Sequence, residues 1–80
     1  MIEQLSEDFR NQVVFVHGCW EWIGRRTKSN HGQYRSFTAY RYVWETLMDK
    51  VPRKMHLHHM CKNPACVNPY HLAIVTRAEN

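Results

Sequence analysis

Two cysteines and a histidine recur at even five-residue steps late in this chain, as Cys61, Cys66 and His71. This spacing constrains the fold more than any other feature, because the chain is only 80 residues long. A domain of that size buries a limited share of its surface. Small domains commonly add a metal, disulfides or a partner subunit. Three cysteines cannot all pair with one another. A metal that takes histidine as a further ligand resolves the odd count. Zinc suits a tetrahedral set of Cys and His donors, and Cys61, Cys66 and His71 supply three from one loop. Cys19, distant in sequence, is the natural fourth, with His17 and His56 as alternatives for one position. The competing reading makes Cys19 a small buried hydrophobe and Cys61 and Cys66 incidental thiols. Structural zinc contributes about 10–16 kcal/mol of apparent binding free energy, compared with about 5–15 kcal/mol of net stability for a whole domain.

Composition narrows the class. The hydrophobic share of 44% is that of a globular chain rather than a disordered one. No apolar run approaches the roughly 20 residues that span a bilayer, and residues 1–8 are acidic and polar, unlike a secretory signal. A cytoplasmic protein with no membrane partner is therefore expected, in a compartment where clustered cysteines bind metal more often than they form disulfides. The net charge of +4 is compatible with a polyanion partner.

Along the chain the pattern is α+β in a single domain, 1–80. Residues 1–12 read as a polar lead-in with a short helical turn. Val13, Val14, Phe15 and Val16 form a β-branched and aromatic run. Gly18 offers a bend, the strand character resumes at Cys19, and residues 24–32 form a basic connection. A return strand then completes a β-hairpin over 13–37 with a basic tip. Tyr40, Val43, Trp44, Leu47 and Met48 fall on one face of a helix predicted over 38–50. Arg41 and Glu45 form an i, i+4 pair on it. Residues 55–59 and 71–75 read as short strands around turns at Asn63-Pro64 and Asn68-Pro69. Thr76 and Glu79 have capping-box spacing and mark a helix start. The segment 55–80 is thus a zinc loop within a ββα outline.

That outline can carry phosphodiester chemistry, which needs a base for water, a divalent cation and a nearby positive group. A neutral histidine is a suitable base near pH 7. His59 ends a strand beside the cysteine loop. Magnesium prefers oxygen ligands and keeps most of its waters, so the amide oxygen of Asn80 is a candidate ligand. Arg41 is positioned to stabilise phosphate charge, unless it only pairs with Glu45.

The run from His59 through Cys61, Asn63-Pro64, Cys66, Asn68-Pro69 and His71 to Leu72 resembles the HNH endonucleases of phages and mobile elements. Within that wider group, the His-Me finger superfamily, it is most similar to the His-Cys box homing endonucleases. Cys19-Trp20-Glu21-Trp22-Ile23-Gly24 and Ala39-Tyr40-Arg41 extend the likeness over roughly residues 18–80. The resemblance implies a small zinc-stapled ββα-metal fold with an N-terminal β-hairpin and one central helix. It makes His59 the general base, Cys19, Cys61, Cys66 and His71 the structural zinc ligands, and Asn80 the holder of a catalytic magnesium or other divalent ion. Asn68 would brace the loop, Arg41 would lie near the scissile phosphate, and Arg25, Arg26, Lys28 and Arg35 would lie along DNA.

Two departures from the family pattern bear on activity. His58 stands where many relatives place a metal-binding aspartate, and an imidazole suits a transition metal better than magnesium. The helix starting at Thr76 has barely one turn by Asn80, and so short a helix is marginal alone. They define a rival expectation: a catalytically weak or inactive zinc module that binds nucleic acid or regulates a host or phage protein. Beyond DNA, a protein partner or a homodimer is compatible with so small a chain.

Overall fold

The computed structural model describes residues 2–76. A 3-10 turn, Ile2–Gln4, leads into a four-residue helix α1, Glu7–Arg10. Strands β1 (Val13–Val16) and β2 (Cys19–Trp22) form an antiparallel hairpin, and β3 (Gln33–Tyr34) and β4 (Phe37–Thr38) form a second, very short one. Helix α2 runs Ala39–Leu47. Strands β5 (Met55–His59) and β6 (Leu72–Thr76) pair antiparallel in the register His59 opposite Leu72. A 3-10 turn, Pro69–His71, precedes β6. The chain is an α+β arrangement of hairpins around one main helix, and no helix among the described residues is long and apolar enough to cross a membrane.

The single hairpin expected over 13–37 is two hairpins. His17 and Gly18 both take positive φ, 50° and 82°. That is the backbone of a tight two-residue turn whose twist matches the flanking strands, so β1 reverses directly into β2 instead of bending through it. The basic connection then becomes a separate loop, closed by a bridge between Arg26 and Gly32. Helix α2 is shorter than 38–50, ending at Leu47, with the Met48 N–H closing on the Trp44 carbonyl.

The centre of the core is aromatic. Phe9 is fully buried, with ring centroids 4.6 Å from Trp22, 4.8 Å from Tyr34 and 4.8 Å from Tyr42. Leu5, Ala39, Val43 and Val67 complete it. Segment 1–12 is more than a lead-in, because Leu5, just before the Ser6 cap, and Phe9, inside α1, are both buried in the core. Ser6 caps α1 by accepting from the Phe9 N–H at 3.2 Å and lies 2.8 Å from the Tyr34 hydroxyl, which ties the segment to the second hairpin. Trp22 is enclosed so tightly that a Cβ on Gly32 would fall 2.5 Å from its ring, closer than real atoms pack. Gly32 is therefore a contact requirement rather than a turn requirement.

Removing a buried aromatic from such a core costs about 3–5 kcal/mol. Urea unfolding should therefore show Phe9→Ala destabilised by that much. Phe15→Ala, at a ring 63% exposed on β1, should stay within about 0.5 kcal/mol of the parent.

Candidate metal centre and active site

Four metal-ligating side chains converge although their positions run from 19 to 71. Cys19 opens β2, Cys61 and Cys66 lie in the loop after β5, and His71 ends the 3-10 turn. One ligand atom from each lies within 4.8 Å of all the others, a group that could hold a metal ion. His71 Nδ1 is 3.5 Å from the sulfurs of both Cys19 and Cys66. Three thiols and an imidazole are the donors of structural zinc sites. His17 and His56 are not in the group.

The backbone builds this convergence from both sides. The loop docks along β2: the Trp22 N–H donates to the Ala65 carbonyl at 2.9 Å, and the Val67 N–H donates to the Trp20 carbonyl at 2.8 Å. Asn63 accepts from the Ala65 N–H through its side chain, and its carbonyl accepts from the Cys66 N–H, which sets the turn that presents Cys66. Asn68, only 8% exposed, uses both ends of its amide. Its Oδ1 accepts from the Tyr70 N–H at 2.9 Å, capping the turn that carries His71. Its Nδ2 donates to the Gly18 carbonyl at 2.8 Å, next to Cys19. Thus Asn68 braces the loop against the first hairpin. Burial pushes the Cys66 thiol up to about 12, so the residue is a neutral thiol until a cation displaces its proton.

His59 lies against the same loop. Its Nε2 is 2.9 Å from the Cys66 carbonyl. A carbonyl only accepts, so Nε2 carries the proton and the lone pair of the neutral ring is on Nδ1. Burial holds the His59 pKa below the ordinary histidine value; the Cys66 carbonyl opposes this, and positive charge on His31 and His58 adds to it. The ring is accordingly a free base at neutral pH. It lines a cavity of about 580 Å³ together with His31, Tyr40, Arg41, His58 and Lys62. The combination is one oriented imidazole among cationic side chains, and it suits activating water against a phosphate.

Other expected residues are distributed unevenly. His58 is exposed on β5 and lines the cavity. Arg41 also lines it, with Nε 2.9 Å from Glu45 Oε2. Asn80 and the helix start expected after Thr76 lie outside the described residues. Of the basic residues, Arg26 is engaged within its own loop, donating to the Trp22 carbonyl at 2.8 Å and to Asn30 Oδ1 at 3.0 Å. Arg25, Lys28 and Arg35 are exposed, and the Arg35 guanidinium lies 5.2 Å from the Tyr34 ring centre. Two cavity residues have no signal in sequence spacing. His31 belongs to the basic loop, and Tyr40 reads as a helix-face aromatic. Their rings nevertheless lie 5.7 Å and 4.7 Å from that of His59.

Comparison with known proteins follows the same residues. The family model of an HNH endonuclease matches residues 38–80, from the start of α2 through the cysteine loop. Protein 2.8 of Escherichia phage T7 is 38% identical over 79 residues, which is 96% of this chain and 57% of that protein. Protein 7.7 of the same phage is 30% identical over 69 residues, 81% of this chain and 53% of that protein. The chain thus spans a little over half the length of these relatives. No solved structure matches it.

Metal analysis of the purified protein should find about one zinc per chain, lost in Cys61→Ser and Cys66→Ser. Stripping it with a strong chelator should abolish the cooperative thermal transition, since such binding energy is folding energy. A metal-free protein that melts like the untreated one would refute the assignment.

Proposed function

This chain belongs to the HNH endonuclease family, and from that premise we propose that it is a metal-dependent DNA endonuclease that nicks or cleaves phosphodiester bonds. Cys19, Cys61, Cys66 and His71 hold a structural zinc, and His59 is the general base. The observation that carries this reading is the His59 ring, fixed by the Cys66 carbonyl on the wall of a cationic cavity.

In this reading the substrate phosphate enters the cavity and meets Arg41 and Lys62. His59 Nδ1 takes a proton from water as the water oxygen bonds to phosphorus. The bond to the leaving oxygen breaks, and that oxygen takes a proton from solvent. Asn80 and His58 are the residues that would hold a divalent ion, magnesium or a transition metal. When bound, the ion would supply positive charge for the developing oxyanion. Asn68 acts through structure, keeping the loop that presents His59's carbonyl partner in place. Arg25, Lys28 and Arg35 would follow the DNA backbone beyond the cavity, where phosphate contacts position without reading sequence. Relatives encoded by an Escherichia phage support the cytoplasm of a bacterial host as the place of action.

The test is plasmid cleavage with magnesium or manganese. His59→Ala should lose about 10²–10⁴-fold in rate, the usual worth of a positioned base, while keeping its zinc. Asn80→Ala should lower cleavage in a way that more metal partly restores. DNA binding with no cleavage under any divalent ion, unchanged in both variants, would instead establish a zinc-stapled binding module.

A further inference from the structure

We propose that His31 is a positioning residue for His59, its ring packing beside both the imidazole and Tyr40 so that Nε2 stays on the Cys66 carbonyl. The three rings are mutual neighbours. His31 lies 5.7 Å from His59 at an interplanar angle of 33°, Tyr40 lies 4.7 Å from it at 74°, and His31 and Tyr40 are 5.8 Å apart. All three line the cavity. A single hydrogen bond from Nε2 leaves the imidazole free to swing about that bond. A tilted ring on one side and an edge-on ring on an adjacent side restrict this freedom, as a preorganised site requires.

The loop that carries His31 is built for this placement. The His31 N–H donates to Thr27 Oγ1 at 3.2 Å, and its carbonyl accepts from the Thr27 N–H at 2.8 Å. Next in the chain, Gly32 is pressed against Trp22, and its carbonyl accepts from the Ala39 N–H at 2.9 Å. That last bond joins the end of the basic loop to the start of α2, with His31 and Tyr40 flanking it. Lys28, Ser29 and Asn30 are exposed, whereas His31 is half-buried. A loop with an outward basic tip thus has one inward ring, and that ring meets the base. A base misplaced by about 1 Å can cost on the order of 10²-fold in rate.

The kinetic consequence rests on the nuclease reading, whereas the geometry does not, so two readouts are needed on the metal-loaded full chain. The first is NMR of the His59 ring, its carbon-bound protons and its nitrogen tautomer pattern. The second is kcat against KM for plasmid cleavage. His31→Ala should shift the His59 ring signals and lower kcat about 10-fold, with KM changed less than about 2-fold. His31→Phe, which keeps a flat ring but neither charge nor hydrogen bond, should preserve the signals and hold kcat within about 3-fold of the parent. If His31→Ala fails to fold, His31→Gln replaces it and should behave as the ring-less variant. His59 signals unchanged without the ring would overturn the proposal. So would His31→Phe as slow as His31→Ala, or an effect on KM alone, which would mark a phosphate contact. If the parent cleaves nothing, the nuclease reading fails and the NMR comparison alone decides the positioning role.

Discussion

Everything else in this fold depends on the seam where the loop after β5 lies along β2. Among the described residues each of the three sheets has only two strands, and an isolated two-stranded hairpin is marginal in water. The seam converts separate hairpins into one body. Backbone hydrogen bonds from Trp22 to Ala65 and from Val67 to Trp20 form it, the Asn68 amide spans it, and the cluster of three cysteines and a histidine closes its end. Val67 and Trp22 continue from the seam into the core, so the four-residue ligand group and the aromatic centre share one scaffold.

This arrangement explains how so short a chain can hold the candidate base in a fixed geometry. The candidate base lies at the end of β5, the strand that runs into the loop, and its partner carbonyl lies within that loop. Rigidity gained for folding is available to the site at no separate expense of structure. The cavity wall opposite comes from α2 and the basic loop, which reach it through the Gly32–Ala39 hydrogen bond.

Much of this was legible in the sequence because it is local. Strand β5 was readable over its full length, the Asn-Pro turns marked the loop, and the ligand spacing brought Cys61, Cys66 and His71 together. The two hairpins in place of one were not legible. That outcome turns on His17 accepting positive φ beside Gly18, where a bend was an equally good reading. The importance of Leu5 and Phe9 was also hidden, since two apolar residues among acidic ones give a weak periodic signal and only the tertiary environment of Trp22 and Tyr34 makes them central. His31 could not be found from spacing, because a loop residue reaches His59 only through the fold.

Cys66 belongs to both halves of the site. Its sulfur is one corner of the four-ligand cluster, and its carbonyl receives the His59 proton donor. One residue therefore couples two equilibria, occupancy of the cluster and orientation of the imidazole. Any such coupling is reciprocal: if a seated ion favours the aligned ring, a ligand that engages the aligned ring tightens the hold on the ion by the same factor.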